Sequence, residues 1–168
     1  MIIRLLVAAT FALAAMPVLA QDRLGGFDGS VAGEPRAWHV LDIDGEASAG
    51  WYDQGMIVQV EVFGFPRADS IADVVGAIDF TLTLMGGSLA PAGASLTYYA
   101  DGTRQLFLAE EDEIQVTLDE ARRDGDRLHL RGTIEAEVFR VVNLFREELD
   151  RDNGRAVAAR FDLVLDAR

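Results

Sequence analysis

The chain has 168 residues, no cysteine and a formal net charge of −13, from 15 cationic and 28 acidic side chains. The missing cysteine excludes disulfides, a thiol nucleophile and thiolate metal sites. The acidic excess repels phosphate backbones and anionic lipid headgroups, so no nucleic-acid partner is expected. Every cation is an arginine, which a genomic base bias explains without invoking function.

Residues 1–20, MIIRLLVAATFALAAMPVLA, read as a secretory signal peptide. Arg4 supplies the positive end, Leu5 to Ala15 form an apolar run broken only by Thr10, and Pro17 ends it. Val18 and Ala20 place small residues where a signal peptidase needs them, before Gln21. A membrane-spanning helix needs roughly 20 apolar residues, so cleavage rather than anchoring is expected, with no membrane insertion afterwards. No cysteine is present to carry a lipid. The expected location is periplasmic or extracellular. What remains, 21–168, is 148 residues with a formal charge of −14. That length makes one domain able to bury a core without covalent staples.

In chain order, Asp22 to Gly33 is rich in glycine and reads as a loose N-terminal segment or edge. A strand is expected from Ala37 to Ile43. Val58, Val60 and Val62 face one way from the next strand, with Gln59 and Glu61 opposite. Pro66 to Val75 carries Ile71, Val74 and Val75 at helical spacing, with Asp69 as a candidate cap and Gly76 as a stop, and predicts a short helix. Ile78–Leu84, Glu113–Asp119 and Arg127–Val138 alternate apolar and polar with period two, the pattern of half-buried strands. Val138, Val142, Phe145 and Leu149 leave two readings of 140–150, a second short helix or a longer strand. Val157 to Leu165 closes the chain, burying Val157, Ala159, Phe161, Leu163 and Leu165 and turning Arg160 and Asp162 outward.

Turns are expected at Asp101-Gly102, Asp124-Gly125-Asp126 and Asn153-Gly154. About eight or nine short strands at this spacing predict an all-β antiparallel β-sandwich, jelly-roll or immunoglobulin-like. A closed barrel is the alternative. Inward Val, Leu, Ile and Phe fill a sandwich as readily as they line a pocket.

Candidate chemistry is sparse. Gly86-Gly87-Ser88-Leu89-Ala90 approaches a nucleophile elbow but lacks the last glycine, and Pro91 stands where a helix should start. It reads as a loop. His39 and His129 are the two available bases. His129 falls on the polar face of its strand, and His39 reads as a core histidine beside Trp38. No Ser-His-Asp triad and no catalytic residue are assigned, leaving hydrolysis as the least favoured class. No cofactor is expected.

Two histidines without cysteine make a tetrahedral zinc site demanding. The acidic turns Asp42–Glu46, Glu110–Glu113 and Asp150–Gly154 do not fit a calcium-loop register. No metal ligands are assigned. The aromatic residues Trp38, Trp51, Tyr52, Tyr98 and Tyr99 are the candidate ligand-binding set, for a protein or small-molecule partner. The sequence therefore predicts an exported module with a binding or structural accessory role. The alternative is a closed-barrel carrier of a small hydrophobic ligand.

Overall fold

A computed structural model describes residues 23–43, 46–146 and 148–168. The expected signal peptide and Asp44-Gly45 of the first acidic turn lie outside these residues. The strands are β1 (Arg23–Val31), β2 (Glu34–Ile43), β3 (Glu46–Ala47), β4 (Ala49–Asp53), β5 (Ile57–Gly64) and β6 (Ile78–Met85). They continue with β7 (Ala90–Thr103), β8 (Leu106–Ala109), β9 (Ile114–Asp124), β10 (Arg127–Asn143) and β11 (Glu148–Asp166). All pair antiparallel, in the order β3-β2-β1-β11-β10-β8-β7-β6-β5-β4, with β9 also on β10.

The sheet curls until it nearly closes into a barrel, so its two walls face one core. His39 and Phe65 exchange backbone hydrogen bonds of 2.8 and 2.9 Å, joining β2 to the chain just past β5. The Arg168 amide donates to the Trp51 carbonyl at 3.0 Å, tying the C-terminus to β4.

Period-two alternation places one apolar row of each strand inside. Ile78, Phe80, Leu82 and Leu84 of β6 are buried, as are Leu128, Leu130, Ile134 and Val138 of β10. Val157, Ala159, Phe161, Leu163 and Leu165 of β11 are buried too, while Arg160 and Asp162 point out. Phe27, Phe80 and Phe161 meet at the centre with ring centroids 5.9–6.1 Å apart. They come from β1, β6 and β11, so rings from opposite walls touch across the middle.

The glycine-rich N-terminal segment is a correction. It is β1, a strand flanked by β2 and β11 rather than a loose end. Its glycines permit close approach: a Cβ on Gly25, Gly26 or Gly29 would lie 2.0–2.3 Å from a carbonyl oxygen of a neighbouring strand. Lack of side chains here marks tight pairing, whereas composition alone reads as looseness.

The helix expected at Pro66–Val75 is absent; that segment is turns and bends. The Ser70 hydroxyl and the Asp73 carboxylate accept from amides two residues on, at 3.2 and 3.1 Å. Such local acceptors compete with the helical ladder. In the 140–150 stretch, β10 runs to Asn143, a three-residue 3-10 turn follows at Leu144–Arg146, and β11 starts at Glu148. Most of it is therefore strand.

Asn153-Gly154 is no hairpin turn either. Gly154 pairs with Phe139 and Asp150 with Arg140, so residues 151–153 bulge from β11. A Cβ on Gly154 would meet the Phe139 ring at 3.0 Å. The Asp124-Gly125 turn stands where expected, with φ of +61° at Gly125. At the end of β7 the Arg104 amide donates to the Asp101 carbonyl at 3.2 Å, turning the chain at Gly102 with φ of +56°.

Candidate functional site

The five candidate aromatic residues divide by strand parity. Trp38, Trp51 and Tyr98 point inward and are at most 4% exposed, while Tyr52 and Tyr99 are half-buried on the outside. They do not form one cluster. Trp51 shares a row with Val60, Leu82 and Ala94, whereas Tyr98 shares one with Ile78 and Gly64. Those rows are four residues apart along β7, roughly 13 Å at the rise of a strand.

Each buried ring has a polar anchor. The Trp38 Nε1 donates to the Gly76 carbonyl at 2.7 Å, and the Trp51 Nε1 to the Asp126 carbonyl at 3.2 Å. Arg123 stacks over Trp51 at 4.5 Å and donates to Asp53 at 2.6 Å. The Gly55 amide, and then Arg123, hold the Asp53 carboxyl below its ordinary pKa. Tyr98 stands beside Arg36 and, with Glu34, raises the guanidinium's pKa. This pair lines a 430 Å³ cleft with Pro66 and Val75 at one end of the barrel.

Tyr99 lies against Phe63 at 5.4 Å, and Phe63 against Phe65 at 4.8 Å, on the outer wall. Beside them Asp79 is half-buried on β6, where burial, helped by Glu61, pushes its carboxyl up. A carboxyl with a raised folded-state pKa adds stability only while protonated, and that contribution disappears as pH rises through the folded pKa. Asp79→Asn should therefore be more stable than the parent at pH 7. The gain should fade below the ordinary aspartate value of about 3.9. Denaturant unfolding at neutral and acid pH checks both signs, and a less stable variant at pH 7 would contradict them.

His39 is not a core residue. It faces outward, half-buried, and is paired with Gly26. Gly26 also pairs with Asp162, and these residues border a 360 Å³ cleft with Asp28 and Arg160. His129 is half-buried on the outer face opposite Arg122 and Val164. Ser88 sits in the turn between β6 and β7, where its hydroxyl accepts from the Ala90 amide at 3.4 Å. The length of β6 separates it from the His39 end, roughly 25 Å.

Among the described residues, no three His, Asp or Glu side chains converge to hold a metal ion. The acidic turns make local contacts instead. The Glu110 amide donates to Glu113 at 2.8 Å, and Asn153 donates to Asp150 at 2.6 Å. Burial pushes the Glu113 carboxyl up, but the Glu110 amide and Arg151 outweigh it and bring it below the usual range. Arg151 reaches Glu113 from the bulge in β11 and lies over Phe139 at 5.0 Å.

The feature that sequence reasoning missed is a fork in the wall. Along one edge of β10, β8 and β9 follow end to end. The 3-10 turn Glu111–Glu113 steps the chain from one to the other. β8 pairs with Leu96–Tyr99 of β7, but among the described residues β9 pairs only with β10. Ala90–Ser95 of β7 and Ile114–Leu118 of β9 thus present two strand edges without a ladder between them, among the described residues. A 450 Å³ cleft lies there, reaching the core residue Leu82 between Pro91, Gly93, Ile114 and Val116, with Glu111 and Asp112 beside it.

Local chemistry explains the fork. Pro91 has no N–H to give a ladder, and proline is confined to strand edges. The sequence from Ala90 to Ala94 supplies only small side chains and proline, so little fills the gap. That run, followed by an acidic turn before an alternating strand, was the available signal. No family model, curated protein or solved structure matches the chain.

Proposed function

We propose that this chain is an exported binding module, without a reaction of its own, whose partner docks on the wall at the β7–β9 seam. The observation that carries this reading is the filled interior. Phe27, Phe80 and Phe161 touch across the centre, and Trp38 and Trp51 are 1% exposed. A carrier of small apolar molecules needs an enclosed pocket of about 300–1,000 Å³, and packed rings leave no such room at that level. The seam instead offers apolar surface and unpaired strand edges together.

The test uses protein exported by a bacterial host, with intact mass giving a mature N-terminus at Gln21. Titration with an apolar fluorescent dye such as phenylnaphthylamine should leave the emission of Trp38 and Trp51 unchanged. Saturable dye uptake that quenches both tryptophans would replace the wall reading with a lumen carrier. A mass that retains Arg4 would overturn the export reading.

A further inference from the structure

We propose that the occupant of the seam is a basic, extended peptide segment of another protein, added as a strand along the free edge of β9. This rests on the seam reading above and names the partner's chemistry. An unpaired strand edge offers a row of backbone donors and acceptors, which an extended peptide satisfies by β-augmentation. β9 is 11 residues long and lacks a partner on that side among the described residues. Its inward residues Ile114, Val116 and Leu118 are only half-buried, so the edge also keeps apolar surface to cover.

Charge chooses the occupant. Glu111 and Asp112 line the seam cleft. Glu135 and Glu137 of β10 border a 560 Å³ groove on the adjoining outer wall, whose floor includes Ala156 and Ala158 of β11. All four carboxylates are exposed, and none makes an ion pair among the described residues. By contrast, Glu113 and Glu110 are met by Arg151. Two uncompensated carboxylates at the mouth of the seam, with two more on the outer wall across β9, attract arginine or lysine alternating with apolar residues. They also repel a second copy of this acidic chain, which disfavours edge-to-edge self-pairing.

The probe is a short synthetic peptide alternating arginine with valine and threonine, labelled for fluorescence anisotropy, with its glutamate analogue as control. The basic peptide should bind the full mature protein saturably and lose affinity as salt is raised, and the glutamate analogue should not bind. NMR shift changes should concentrate in Ile114–Leu118 and Ala90–Ala94. The variant Glu111→Gln/Asp112→Asn/Glu135→Gln/Glu137→Gln should keep its melting temperature and bind the basic peptide roughly tenfold more weakly. Equal binding of both peptides at the seam, or undiminished binding to the variant, overturns the charge assignment and leaves the seam reading standing. Binding of either peptide that maps away from β7 and β9, or binding of neither, overturns both. A stable dimer formed through β9 would give the edge to a second copy and overturn the proposal as well.

Discussion

Leu130→Ala should destabilise the protein by about 2–5 kcal/mol, the range for deleting a buried leucine side chain whose cavity cannot collapse. Leu130 is 1% exposed on β10, held between Leu163 of β11 and Ala121 of β9. Three strands fix the backbone around it, so relaxation into the void is limited. Thr81→Ala and Arg131→Ala alter outward side chains on β6 and β10 and should shift stability within about 0.5 kcal/mol. Denaturant unfolding followed by circular dichroism measures all three. Equal losses for Leu130 and Arg131 would mean that the inner and outer faces have been exchanged.

Gly132→Val should cost more than the ~1–3 kcal/mol of ordinary overpacking. Gly132 pairs with Leu118 and Phe161, next to the bulge where the β9–β10 register shifts. A Cβ there would lie 2.2 Å from the Thr117 carbonyl oxygen and 3.0 Å from the Phe161 ring. The first obstacle is backbone, which cannot swing aside as a side chain can. Relief would require β9 to move off β10, breaking the ladder that borders the seam. Gly87 is the control, because a Cβ there meets nothing within 4 Å. Thermal melting of Gly132→Val beside Gly87→Ala should show a large fall in the first and almost none in the second.

Period-two patterning made most of the wall legible. The inward rows of β5, β6, β10 and β11 are the rows that alternation picks out, because burial on one face leaves its mark residue by residue. Parity also requires Tyr98 and Tyr99 to face opposite ways, and the structure puts Tyr98 inside and Tyr99 outside. Where side chains were missing, the sequence misled. Gly25, Gly26 and Gly29 read as looseness, yet they let β1 lie close against two neighbours. Asn153-Gly154 carries the local chemistry of a tight turn, but pairing with β10 overrides it and leaves a bulge. Beside Trp38, His39 reads as a core residue, but Trp38 takes the inward position of β2 and parity turns His39 outward.

The candidate site was less legible than the fold. Trp38, Trp51 and Tyr98 contribute anchored core rings, and the tyrosines outside are separated along the wall. The seam depends on which strands fail to pair, a property of long-range topology that no local window contains. Pro91 and the acidic turn at Glu111–Glu113 become informative only once β8 and β9 are seen sharing one edge of β10.

Residue-resolved amide hydrogen exchange on the free protein tests the open seam most directly. β1 has a ladder on both sides, so amides from Phe27 to Val31 should all be strongly protected. In Ile114–Leu118 and Ala90–Ser95, protection should alternate, with amides aimed into the seam exchanging rapidly and their neighbours slowly. Uniform protection of Ile114–Leu118, equal to that of Phe27–Val31, would mean that β9 is paired on both edges and would contradict the open wall.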